Sequence, residues 1–137
     1  MFEAAFIGNF RKVIGVEAIG ALLVRGEKRL GRWERSSDRF TDRIQKVLVD
    51  FIEDDFILNG FYADDATFIF LHWTALSHKQ RLTVSDILAG CQEGTQVITF
   101  THPIMGSDFE VLVQDICLTS WGKTDFYCQE KVTPPRR

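Results

Sequence analysis

Residues 36–53, SSDRFTDRIQKVLVDFIE, constrain the fold more than any other stretch of this chain. Apolar residues recur at Phe40, Ile44, Val47, Leu48, Phe51 and Ile52, and Asp38, Arg39, Asp42, Arg43, Lys46 and Asp50 fill the intervening positions. That spacing predicts a long amphipathic helix whose apolar stripe must be buried against something. Ser36 or Ser37 can cap its start. Glu53, Asp54 and Asp55 at its end oppose the helix dipole, so the helix should fray or turn there.

Strand candidates lie on both sides. Phe2, Phe6, Phe10, Val13 and Ile14 predict a first amphipathic helix over 2–14, stopped by Gly15. Ala21–Arg25 and Arg29–Trp33, around Gly26-Glu27-Lys28, read as a hairpin. Asn59-Gly60 is a turn signal. Thr67–Trp73, TFIFLHW, is nearly all apolar and predicts a central strand buried on both faces. Leu82–Gly90 predicts a short helix capped by Thr83 and stopped by Gly90. Gln96–His102, Phe109–Thr119 and a weaker Asp125–Val132 complete the strands. The order predicts an α+β fold: an antiparallel sheet of about five strands, one long helix on a face and two shorter helices. Residues 1–133 should form one domain, with 134–137 a loose tail.

Composition narrows the function classes. The chain is 45% apolar and 26% charged, which argues against disorder. A net charge of −3 gives no electrostatic case for nucleic acid. There is no apolar run of about 18 residues, and Glu3 stands where a signal peptide would carry basic charge. The expectation is a soluble, intracellular, cytoplasmic protein. Cys91, Cys117 and Cys128 lack a CxxC spacing and read as free thiols.

Two family resemblances follow from these segments. Residues 6–52 resemble the roadblock family of small dimeric domains, allied to profilin-like and longin-like folds: a first helix into Ile14-Gly15-Val16, a strand over 21–25, a turn at Gly26, a second strand, then the amphipathic helix. The resemblance implies a non-catalytic scaffold, a homodimer or assembly subunit, often beside a small GTPase. Residues 74–95 would be an unusual insertion, and the family's last helix is missing. Residues 47–70, a helix followed by FYADDATFIF, are similar to cone-shaped domains like nuclear transport factor 2. That family implies a small pocket enzyme or ligand binder using acid–base residues. Tyr62-Ala63-Asp64-Asp65 also matches the catalytic hairpin of reverse transcriptases, but Asp50 falls on the expected helix and the chain is far too short.

The chemistry-bearing residues mostly have bland readings. Asp64 and Asp65 are adjacent, so they point apart on any regular element and read as a solvated turn. His72 beside Trp73 reads as a hydrogen-bonded core histidine, with a pocket base as the functional alternative. On the enzyme reading, Asp65 and His72 are the candidate catalytic pair. The spacing of the histidines implies no metal site, and nothing implies a cofactor. The best polar anomaly is Arg25, Arg29, Arg32, Arg35, Arg39 and Arg43 with Lys28. Asp38 and Asp42 can pair along the helix, which favours a solvated face. The sharper reading is a protein-binding surface of Arg29, Arg32, Trp33, Arg39 and Arg43, taking an acidic or mixed partner surface.

Overall fold

The structure is a computed structural model that describes residues 10–35, 48–55, 57 and 65–133. Its contacts divide into two compact units, residues 1–59 and 60–137.

The first unit is built on two parallel strands, β1 (Lys12–Glu17) and β2 (Leu48–Glu53), paired from Lys12↔Leu48 to Glu17↔Glu53. Between them runs α1 (Gly20–Glu34), which packs on both. Parallel strands need such a crossover, because a tight turn cannot reverse the chain direction twice. Three expectations are corrected here. Residues 12–14 are strand: β-branched Val13, Ile14 and Val16 favour the pleat once β2 is there to pair with. The expected 21–33 hairpin is one helix. Leu23, Gly26 and Leu30 are its less exposed positions, spaced three and four apart, and Leu, Arg, Glu and Lys are strong helix formers. The expected helix over 36–53 ends in a strand at 48–53; its remainder, 36–47, lies outside the described residues. The run VLVDFI satisfies both periods, and pairing with β1 decided it.

The second unit holds β3 (Phe68–Leu71), α2 (His78–Leu88), β4 (Gln96–Phe100), β5 (Phe109–Thr119) and β6 (Gly122–Lys131). Their sheet order is β3-β4-β6-β5, with β3 and β4 parallel and the other pairs antiparallel. The α+β class therefore holds, but the sheet is mixed rather than antiparallel. Ile69, Val97 and Gln129 are register partners across three strands, so they share one face. That face is the buried one: Ile69, Leu71, Val97, Thr99 and Gln129 are buried, with Trp73, Val84, Leu88 and Ile104. The opposite face carries Phe70, which is 61% exposed, so β3 is not buried on both faces as expected.

Helix α2 starts earlier than expected because Ser77 makes a capping box with Gln80. The Ser77 hydroxyl accepts from Gln80 N–H at 3.3 Å, and Gln80 Oε1 accepts from Ser77 N–H at 2.9 Å. Thr83 sits inside the helix, its hydroxyl donating to the Lys79 carbonyl. β5 spans the expected residues, β4 and β6 differ from them only at their ends, and Asn59-Gly60 and 134–137 lie outside the described residues.

Candidate functional site

In open sheets with parallel strands, ligands bind beyond the carboxyl ends of those strands. Each unit has one such edge.

In the first unit, Glu17 is the last residue of β1. Its Oε1 accepts the Ile19 N–H at 3.0 Å, which positions the carboxylate just ahead of α1. A carboxylate has about four acceptor sites, so this bond leaves Glu17 able to take hydroxyl donors from a ligand. β2 ends beside it: Asp54 N–H donates to the Glu17 carbonyl at 3.2 Å. Asp55 Oδ1 accepts from Ile57 N–H at 2.9 Å. The edge is acidic, and the side-chain bonds of Glu17 and Asp55 are short-range.

In the second unit, the carboxyl ends of β3 and β4 carry aromatic rings and hydroxyls. His72 follows β3 and is exposed. Its ring meets Trp121 edge-to-face, 4.9 Å between centroids and 87° between planes. It also meets Phe100, the last residue of β4, at 5.8 Å. Trp121 comes from the β5–β6 turn and is 55% exposed. The next residue after β4, Thr101, has φ +70°. That left-handed backbone is costly for a β-branched residue and is retained only where the surroundings over-determine it. Here the Thr101 hydroxyl shares hydrogen bonds with Thr74 and Thr124, each at 3.2 Å, and its N–H donates to the Asp125 carbonyl.

The loop that follows is tied to the core by long-range bonds. The His102 carbonyl accepts from Trp73 Nε1 at 3.0 Å and from the Thr99 hydroxyl at 2.8 Å. Buried Gln129 takes both backbone groups of Ile104: its Oε1 accepts the N–H at 2.6 Å, and its Nε2 donates to the carbonyl at 3.3 Å. Met105 N–H donates to the Ser85 hydroxyl.

The expected site residues fall in different places. His72 lies on this edge, exposed rather than in the core. Asp65 precedes β3 and His72 follows it, so the two stand at opposite ends of the strand. They do not converge on one atom. Arg29 and Arg32 are exposed on α1; Trp33 is in α1 but its side chain lies outside the described ones, as do Arg39 and Arg43 entirely. Glu27, Lys28, Gly31, Arg32 and Arg35 line an open depression of about 520 Å³, of mixed charge. Among the described residues, no three His, Cys, Asp or Glu side chains cluster as a metal site, Cys91, Cys117 and Cys128 form no disulfide, and no helix is long and apolar enough to cross a membrane. Sequence reasoning missed Glu17, Thr101 and Trp121; an acid closing the VIGVE run was the available signal for the first.

No protein-family model and no curated protein matches the chain. Solved structures do. A SAM-dependent methyltransferase from Methanosarcina mazei matches with TM-score 0.69 at 12% identity, over 95% of this chain and 85% of its own. HI0767 of Haemophilus influenzae, described as a methylase, matches with TM-score 0.62 at 13% identity, over 90% and 74%. Sp1610 of Streptococcus pneumoniae, described as a tRNA (m1A22) methyltransferase, matches with TM-score 0.60 at 11% identity, over 99% of this chain but 60% of its own. The chain shares the fold of these three structures. This overturns both the roadblock-like and the nuclear transport factor 2-like resemblances. The β1–α1–β2 crossover replaces the hairpin on which the first rested, and β2 replaces the helix on which the second rested. The non-catalytic scaffold reading falls with the resemblance that implied it. The small-enzyme alternative fits the fold better.

Proposed function

We propose that this chain is a SAM-dependent methyltransferase-type enzyme domain whose β1–β2 edge binds the methyl donor. The observation that carries the reading is Glu17 at the carboxyl end of a parallel strand, in a fold shared with such enzymes. The residues present fit the donor's nucleoside. A ribose diol offers two O–H donors, and the Glu17 carboxylate has acceptor capacity beyond its bond to Ile19 N–H. Asp54 and Asp55 make the edge acidic, which suits a donor bearing a sulfonium and an ammonium. Bound there, the donor supplies an electrophilic methyl group. No two glycines in the sequence stand one residue apart, so the reading rests on the acid and not on a glycine-rich loop.

The chain's own groups have separable roles on this reading. Glu17 orients the donor through its ribose. His72, on the second unit's own edge, is the candidate proton acceptor. Asp65 has no part in that step.

Calorimetric titration with S-adenosylmethionine and with its demethylated product tests the proposal. Both should bind, and Glu17→Ala should weaken both by about tenfold or more, the usual cost of losing hydrogen bonds to a charged group. Melting should change little, because the one Glu17 side-chain bond described is local and exposed. A folded protein that binds neither compound, or a Glu17→Ala protein that binds both as tightly as the parent, would overturn it.

A further inference from the structure

The second unit's edge has a construction that the donor does not explain. Three rings from three elements converge there: His72 after β3, Phe100 ending β4 and Trp121 in the β5–β6 turn. Phe70 joins the cluster through Phe100, at 5.4 Å. Two of the three, His72 and Trp121, are exposed. Packing alone does not call for this, since the core lies on the opposite face of the sheet. Next to the rings stands the Thr74–Thr101–Thr124 hydroxyl network, on a backbone held in an unfavourable conformation.

We propose that His72, Phe100 and Trp121 form a platform that binds a flat nitrogen-containing heteroaromatic ring, of the nucleobase kind. The platform stands on its own geometry and does not depend on the methyltransferase reading. His72 and Trp121 are perpendicular, so a flat ring stacked on one presents its rim or face squarely to the other and gains both kinds of aromatic contact. The imidazole adds a donor and an acceptor for ring nitrogens or exocyclic amines, and the threonine hydroxyls add more. An aliphatic ammonium fits less well. It would seek a carboxylate beside the ring, and Trp121 is followed by Gly122 and Lys123. The chain's net charge of −3 favours a free base or nucleoside, or an unstacked base, over a long phosphate backbone.

Cytidine and guanosine are suitable probes, because neither carries the donor's adenine, and Glu17→Ala controls for the ribose that both share with the donor. Each is titrated into the full chain without methyl donor, with calorimetry for affinity, tryptophan fluorescence for location and circular dichroism as the folding control. Saturable binding is expected for at least one of them. Trp121→Ala should weaken it by about tenfold, the usual effect of removing one stacking partner. His72→Ala should weaken it measurably, Trp121→Phe should largely restore it, and Glu17→Ala should leave it unchanged. Absence of saturable binding to the folded parent would overturn the platform. So would equal affinity in the parent and Trp121→Ala, or loss of binding in Glu17→Ala alone, which would move the ring to the other edge. Trp121-dependent binding in a protein that ignores S-adenosylmethionine would sustain the platform and sink the methyltransferase reading.

Discussion

The two strand edges of this chain are held in place by different means. At the end of β1 and β2, Glu17 reaches two residues along the chain to Ile19, and Asp55 reaches two residues to Ile57. At the end of β3 and β4, the loop after Phe100 is fixed by Trp73 from 29 residues away and by Gln129 from 25. Both of those side chains are essentially fully buried. Local bonds can be exchanged singly at small cost. Long-range buried bonds couple the edge to the core, so its shape and the unit's stability change together. An acidic edge that only has to accept hydroxyls tolerates the first arrangement. An edge that must hold rings at fixed angles calls for the second.

The largest expected effect tests that coupling. Trp73→Ala removes a fully buried indole and leaves the His102 carbonyl with one donor in place of two. It should cost about 3–5 kcal/mol of stability, the usual range for truncating a buried large aromatic, and chemical denaturation measures it. A loss below about 1 kcal/mol would mean that the indole does not anchor the loop. Next comes Gln129→Leu, which keeps volume but orphans the N–H and carbonyl of Ile104. Buried backbone groups left unpaired should cost about 1–3 kcal/mol. Full stability in this variant would show that water replaces the amide, and the contrast between the edges would weaken accordingly.

The same contrast explains what could be read in the sequence. The second unit was largely legible: Thr67–Trp73, Gln96–His102 and Phe109–Thr119 each hold β3, β4 and β5, because a long β-branched or aromatic run admits few alternatives. The first unit was not. KVIGVE and LVDFIE are short and become strands by pairing with each other across more than 30 residues, which local periodicity cannot show. ALLVRGEKRLGRW carries two glycines that suggest turns, yet three-and-four spacing of Leu23, Gly26 and Leu30 against two strands outweighs about 1 kcal/mol per helical glycine. His72 was singled out as a candidate but placed in the core, since its alternation with Ile69, Leu71 and Trp73 puts it on the open face only once the sheet's covered side is known. Trp121 sits between Ser120 and Gly122 and gives no sign from spacing that it meets a ring 49 residues earlier. Arginine abundance drew attention to α1, where Arg32 and Arg35 line an open depression with Glu27 and Lys28.

Thr101 supplies the smallest and sharpest test of the comparison. Its backbone is strained and its hydroxyl is shared with Thr74 and Thr124, so the two contributions oppose each other. Thr101→Val keeps the β-branched strain and discards both hydrogen bonds. Thr101→Gly discards the same bonds but removes the strain, because glycine enters the left-handed region without a steric penalty. The glycine variant should therefore be the more stable of the two, by about 1 kcal/mol after allowing for the greater freedom of its unfolded chain. Equal stability, or a more stable valine variant, would mean that no strain is stored at φ +70°. The binding readout goes the other way. If the strained turn exists to set the hydroxyls beside the rings, both variants should bind cytidine or guanosine less tightly than Thr101→Ser, which keeps the oxygen. A glycine variant that is stable and also binds as well as Thr101→Ser would separate the turn from the platform. The long-range scaffolding of this edge would then serve the fold alone.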